Sequence, residues 1–191
     1  MTTEPIRSKQ KIDAIYQELR NHEVPVLAHR NYLLFKLGIN SILRISDIIT
    51  LKVGQVFNGK GAREYLAIQE KKTGKNKKIK LNVTIIDEIR VFADLYGLEK
   101  DDFIFFSVRH PQIHIDRTQA WRIIKTAAVK VGVENCATHT MRKTFAYFVY
   151  KKTKDVALVQ TLLNHSSPRE TMRYIGINQD NMDRAYEEIV L

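Results

Sequence analysis

The residues with chemical potential in this chain are few and widely spaced. The stretch "LLNHSSPRETMRYIG" (Leu162 to Gly176) carries His165 and, nine positions later, Tyr174. "HTMR" places His139 and Arg142 three apart, so that on a helix they are neighbours on one flank. "LRISDIITL" holds Arg44 and Asp47, also three apart. Guanidinium groups donate paired, planar hydrogen bonds to phosphate oxygens, and a histidine beside one completes a phosphate clamp. A tyrosine hydroxyl, with a pKa near ~10, becomes a useful nucleophile only where its surroundings help. Each signal also has a bland reading. Tyr174 is then a packed aromatic, His139 and Arg142 are exposed polar groups, and Arg44–Asp47 is a surface ion pair of little weight.

Lysines supply the remaining pattern. Lys71, Lys72, Lys75, Lys77, Lys78 and Lys80 fall within ten residues that contain no acid. Alternate residues of a strand share a face, so this density cannot all be directed at one acidic partner inside the fold. The bland reading is a solvated sheet edge. The functional reading lays the hairpin against a nucleic-acid backbone, with Lys71, Lys75, Lys77 and Lys78 as the contacts.

The elements that must position these groups follow from periodicity. Ser8 to Arg20 reads as a helix with Ile12, Ile15, Tyr16 and Leu19 on one face. A break at Val24-Pro25 precedes a helix from His29 to Gly38, with the glycine as its stop, and a third helix runs from about Leu43 to Leu51. Then Tyr65, Ala67 and Gln69 alternate with Leu66, Ile68 and Glu70, and Lys77 to Leu81 returns, with a turn at Thr73 to Asn76. Helix resumes from Asn82 to Tyr96 with Gly97 as a stop. "FIFFS" (Phe103 to Ser107) is a buried extended piece, and Asp116 caps a helix to about Val131 in which Trp121 is expected in the core. From Thr138 on the pattern is helix after helix. Met141, Phe145, Phe148 and Val149 define a buried stripe there, which leaves His139 and Arg142 on the flank, outside the core. Ser167-Pro168-Arg169-Glu170 is a capping box with proline at the first helical position, so Tyr174 falls in the second turn after it. The fold class is α+β, mainly helical, with a small antiparallel sheet.

The 191 residues suit a single domain, 1–191, with 1–28 as a lead-in helix and 179–191 as a C-terminal tail helix. In that tail Met182, Ala185, Ile189 and Val190 recur near helical spacing. A net charge of +10 points to nucleic acid first and an acidic membrane surface second. The single cysteine, Cys136, excludes an intramolecular disulfide framework and a cysteine-based zinc site. His110 and His114 are separated by Pro111, and no metal is assigned to them. Without an apolar leader or a run of about 18 apolar residues, a cytoplasmic protein is expected.

Arg44, Lys72 in "EKKTGKNKKIKL", "HTMR", "LLNHSS" with His165, and Tyr174 occur in an order and spacing that resembles the catalytic domain of the tyrosine recombinases, the phage integrase family. The likeness runs from about Asn31 to Tyr174. It implies that Tyr174 is the nucleophile and that Arg44, His139, Arg142 and His165 surround the scissile phosphate. Lys72, directly before the turn, would protonate the leaving oxygen, with Lys71 the adjacent competitor. The implied product is a 3′-phosphotyrosyl DNA, made without metal, ATP or other cofactor. Duplex DNA would be the substrate, a homo-oligomer with a tetrameric synapse the working form, and a DNA-bending helper protein a further partner. Family members often have glycine where Asn164 stands, which should alter only a helix end. About 30 residues precede the match, too few for the separate DNA-clamping domain of most members, so the minimal type of bacterial, phage or plasmid origin is expected. The tail would dock on a neighbouring protomer or fold back on its own. Two rivals use the same residues: a type IB topoisomerase-like enzyme, and a non-catalytic basic DNA-binding regulator on the same fold.

Overall fold

The computed structural model describes residues 3–59, 61–71, 74–177 and 186–188. The domain is mainly helical, with two small antiparallel hairpins. Helix α1 (Lys9–Arg20) starts where Ser8 Oγ accepts the Lys11 N–H, and it buries Ile12, Ile15 and Leu19. Helix α2 (Pro25–Ile39) begins at proline, earlier than the pattern suggested, because Pro25 fits the first helical turn. It is apolar nearly all round and forms the central rod of the core, with Leu33, Leu34, Phe35 and Leu37 fully buried. Gly38 does not stop this helix. It lies inside it, where a Cβ would come within 2.4 Å of Met141 Sδ, so the glycine permits a close helix crossing.

The expected third helix shrinks to α3 (Ile45–Ile48), followed by α4 (Val53–Val56). Long-range pairing overrides the helical pattern here. Leu51 accepts a hydrogen bond from the Ile104 N–H, and Lys52 bridges Phe103, which draws the chain out of helix against the buried Ile104-Phe105 segment. A hairpin the periodicity did not suggest follows, β1 (Phe57–Asn58) with β2 (Gly61–Ala62), although Asn58-Gly59 is a turn signal. Next come β3 (Leu66–Gln69) and β4 (Asn76–Ile79), paired Leu66 to Ile79 and Gln69 to Asn76. Their turn therefore spans residues 70–75, wider than expected.

Helix α5 (Val83–Tyr96) is capped by Asn82 and ends at Gly97 with φ 64°, a left-handed position suited to glycine. Helix α6 (Arg117–Lys130) is capped by Asp116. Its buried stripe is Ala120, Ile124, Ala127 and Ala128, which leaves Trp121 one position off and 44% exposed, contrary to the expected core placement. Helix α7 (Thr138–Thr153) lies between the main core and a smaller one formed by Ile42, Ala146, Tyr147, Val159, Leu163, Ile175 and Ile177. It is covered on two sides, so its buried residues run unbroken from Thr140 to Thr144, with Ala146 and Tyr147 beyond, and include Arg142, only 4% exposed. The one-stripe reading that put Arg142 outside the core is thus corrected, and Phe145, Phe148 and Val149 are only half-buried. Helices α8 (Val156–Leu163) and α9 (Pro168–Ile175) close the smaller core.

The N-terminal segment 3–7 straps across this end of the molecule. The Ile6 N–H donates to Thr144 Oγ1 at 2.9 Å, Lys143 Nζ donates to the Thr3 carbonyl at 2.5 Å, and Arg7 Nη2 donates to the Gly176 carbonyl at 3.2 Å. The tail residues Met182, Asp183, Ala185, Ile189 and Val190 lie outside the described residues, and Tyr186 is exposed.

Candidate active site

Arg44 stands immediately before α3 with extended backbone, and Arg142 points from the first turns of α7. Arg142 Nη2 donates to the Leu163 carbonyl at the end of α8, at 3.0 Å. Burial is the main reason its guanidinium holds its proton less tightly than usual, and the nearby Arg44 adds to this, while Tyr174, Glu70 and Asp47 oppose it. Those opposing groups place Arg44, Arg142, Tyr174, Glu70 and Asp47 in one electrostatic neighbourhood.

Arg44 does not form the expected surface pair with Asp47. Its Nη1 lies 2.8 Å from Glu70 Oε2, a contact not aligned as a hydrogen bond. Asp47 is buried, and its Oδ1 accepts the Lys71 backbone N–H at 3.0 Å, tying the lysine turn to α3. Among the described residues, three buried side-chain atoms have no hydrogen-bond partner: Arg44 Nη1, Asp47 Oδ2 and Arg142 Nη1. All belong to this cluster, and two are guanidinium donors.

The helix end and turn between α8 and α9 place the histidine and the tyrosine. Asp155 caps α8, and Asn164 ends it in the left-handed region at φ 58°, which asparagine tolerates among non-glycine residues. Ser167 Oγ accepts the Glu170 N–H. Glu170 reaches back one residue further than a capping box would, to the Ser166 N–H and hydroxyl at 3.1 and 3.0 Å. The His165 ring then meets the Tyr174 ring edge-on, centroids 5.0 Å apart, and its Nδ1 lies 3.2 Å from Thr171 Oγ1. Burial lowers the His165 pKa against the opposing pull of Glu170, with Arg142 and Arg44 lowering it further, so the ring is neutral at pH 7. Burial raises the Tyr174 pKa, and Arg142 and Arg44 pull it back. Lys143 Nζ sits 5.1 Å from the Tyr174 ring centroid.

Arg44, Arg142, His165 and Tyr174 are therefore gathered from the residue before α3, from α7, from the α8–α9 turn and from α9. His139 lies exposed on the first turn of α7. Lys72 and Thr73 lie outside the described residues. Lys71, Lys75 and Lys78 are exposed, but Lys77 turns inward. Its Nζ donates to the Leu162 carbonyl at 2.7 Å and lies 3.7 Å from Glu70 Oε1, so it is not available as the surface contact expected of it. Burial lowers its pKa, Glu70 opposes this, and Arg142 and Arg44 reinforce it. Glu70 and the inward face of Lys77 escaped the sequence reading. A signal existed, since Glu70 shares its strand face with Leu66 and Ile68, both buried. Among the described residues no group of three or more His, Cys, Asp or Glu could hold a metal, and His114 Nδ1 contacts the Ile115 carbonyl. No helix among them is long and apolar enough to cross a membrane.

The phage integrase family model matches residues 7–181. A protein of Bacillus subtilis (strain 168) described as "Probable integrase/recombinase YoeC" is 44% identical over 184 residues, 96% of this chain and 95% of that one. Tyrosine recombinase XerH of Campylobacter jejuni is 24% identical over 182 residues, covering 93% of this chain and 50% of XerH, so the chain spans about half the length of that relative. Among solved structures, XerA recombinase has a TM-score of 0.72 at 18% identity, covering 97% of this chain and 64% of that one. XerH bound to a palindromic difH substrate, in a post-cleavage complex, gives 0.73 at 18% identity, covering 97% and 53%. These structures show a shared fold, and with the family match and the Bacillus relative they place the chain: it belongs to the phage integrase family, the tyrosine recombinases.

Proposed function

We propose that this recombinase cleaves and rejoins duplex DNA through Tyr174, with Arg44 and Arg142 as the phosphate clamp. The observation that carries the proposal is the pair of guanidinium groups in the neighbourhood of Tyr174: Arg142 Nη1 is buried without a hydrogen-bond partner, and Arg44 Nη1 has only its unaligned ion contact with Glu70. Buried donors without aligned acceptors cost free energy in the resting protein, and nonbridging phosphate oxygens would supply acceptors to both guanidinium groups. Their attraction grows as negative charge builds on the phosphorus in the transition state.

Tyr174 Oη attacks phosphorus, a 3′-phosphotyrosyl bond forms, and the bond to the 5′-oxygen breaks. That oxygen takes a proton from Lys72, with Lys71 the neighbouring candidate, and leaves as a hydroxyl. His165, neutral at pH 7, is available to accept the phenolic proton, and His139 assists from the exposed flank. A 5′-hydroxyl from the partner strand reverses the steps, and the covalent link conserves the phosphodiester energy. Lys71, Lys75 and Lys78 lie along the DNA backbone. Residues 1–191 act as one catalytic unit in the cytoplasm, assembling as a homo-oligomer, four copies on two sites, aided by a DNA-bending protein.

The test is a pool of nicked duplexes whose cleavage releases a short fragment and traps the covalent complex. Wild type should form a protein–DNA adduct stable to denaturant, and Tyr174→Phe should form none. Absence of adduct with wild type, or its persistence in the variant, contradicts the proposal. Relaxation of supercoils without recombinant product would identify a topoisomerase instead.

A further inference from the structure

An anion-binding cluster that contains its own buried carboxylate needs a physical reason. Glu70 closes β3 with its side chain 4% exposed, whereas that of Arg44 is 17% exposed. The carboxylate is thus the deeper member of the pair, and a phosphate arriving from solvent meets the guanidinium first. Glu70 Oε2 contacts Arg44 and Oε1 faces Lys77. Its backbone closes the lysine turn, its N–H donating to the Lys75 carbonyl at 2.9 Å and its own carbonyl accepting the Gly74 N–H at 2.8 Å. Lys77 in turn holds the Leu162 carbonyl, one residue before the Leu163 carbonyl that Arg142 holds. One side chain therefore ties together the start of α3, the lysine hairpin and the end of α8 that leads into His165.

The charge balance shows why. Arg44, Arg142 and Lys77 are three half-buried or buried cations whose mutual repulsion is strong where water is scarce. Asp47 is the other buried acid of the cluster and its charge also acts on Arg142, but its Oδ1 accepts the Lys71 N–H, whereas Glu70 is the acid in contact with Arg44 and Lys77. Without Glu70, Arg44 and Lys77 would have no anion in contact and would be driven apart before DNA arrived. We propose, resting on the recombinase reading above, that Glu70 is a positioning residue: the internal counter-charge that holds Arg44 in its phosphate-binding pose from beneath. It is neither a proton donor nor a plug that DNA must expel.

The test is single-turnover cleavage by Glu70→Gln on the nicked substrate that wild type cleaves. Glu70→Gln keeps the shape and removes the charge. Cleavage should slow by about tenfold or more, short of the roughly 10²–10³-fold for outright loss of one preorganised donor, while affinity for the same duplex changes little. Two modified substrates separate routes of action. A sulfur at the bridging 5′ position leaves as a thiolate without needing a proton. It should rescue Lys72→Ala but not Glu70→Gln. A methylphosphonate at the scissile position carries no charge for Arg44 to neutralise, and should narrow the gap between wild type and Glu70→Gln. Glu70→Asp, which keeps the charge at shorter reach, should fall between the two and serves if Glu70→Gln does not fold. Wild-type or faster cleavage by Glu70→Gln overturns the proposal, and so does rescue by the bridging sulfur, which would assign Glu70 to the lysine. An absence of adduct with wild type on every substrate removes the recombinase reading and this proposal with it.

Discussion

Replacing Gly38 by alanine should destabilise the protein, although in most helix interiors the same change stabilises it. The gain from helix propensity is about 1 kcal/mol. Against it stands Met141, 1% exposed, whose Sδ, Cε and Cβ would lie 2.4, 2.9 and 3.3 Å from the new methyl group. The thioether end of methionine is adaptable, but the Cβ is fixed to α7, so a change of rotamer alone does not clear the contact. Overpacking of this kind costs about 1–3 kcal/mol, which leaves a net loss of up to about 2 kcal/mol and a fall in Tm of up to roughly 8 °C for a domain of this size. Urea denaturation measures the loss directly. In a Met141→Ala background the two shortest contacts are gone and only the 3.3 Å contact with the Cβ remains, so Gly38→Ala should cost clearly less than in wild type, or stabilise by up to about 1 kcal/mol. Arg142 follows Met141 in the chain, so Gly38→Ala should also slow DNA cleavage at temperatures where the protein is fully folded. A higher Tm for Gly38→Ala in the wild-type background would refute the reasoning, because it would mean that α2 and α7 are not close-packed at their crossing.

Asn164→Ala should cost about 1 kcal/mol in chemical denaturation, since alanine tolerates the left-handed conformation less well, and Asn164→Gly should cost little or nothing. His165 has a folded pKa below its ordinary 6.5, so the unfolded chain binds the proton more tightly and acid favours unfolding. Its contribution is complete above about pH 6.5 and is lost as pH falls from there through the folded pKa. Denaturation curves between pH 7.5 and 5.5 should show a shallower pH slope in His165→Gln than in wild type, and equal slopes would exclude the effect. Asp47→Ala should free the Lys71 N–H and slow cleavage of ordinary DNA, with recovery on the bridging-sulfur substrate. Failure of sulfur to restore it would show that Asp47 acts on something other than the lysine turn.

Apart from those of α2, α3 and α4, helix starts were the most legible feature of this sequence. Ser8, Asn82, Asp116, Asp155 and Ser167 each accept a backbone N–H in the first turn of the helix they precede, because capping is decided within four residues. The gathering of Arg44, Arg142, His165 and Tyr174 was legible through order and spacing along the chain. What escaped depended on distant segments. Arg142 is buried because α7 has packing on two sides, which a single-stripe reading does not allow. Helix α3 is short because Leu51 and Lys52 pair with Ile104 and Phe103, more than 50 residues further along the chain. Trp121 is exposed because alanines, whose bulk gives little sign of a core, occupy the buried stripe of α6. Glu70 lay in view on the apolar face of its strand, but only the folded cluster shows the cations it faces.

The strap at residues 3–7 has a consequence for how the protein is made. Its hydrogen bonds join residues 138 and 169 positions apart, Ile6 to Thr144 and Arg7 to Gly176, whereas most of the helical hydrogen bonding is local. Contacts of such separation form late, after the chain between them has collapsed. On the ribosome the strap emerges first and then waits for almost the entire remaining sequence before its partners appear. Lys143, which both holds Thr3 and lies over the Tyr174 ring, completes its contacts in the same closing step. The contacts around Tyr174 are thus completed only once the strap and the end of α9 are both in place.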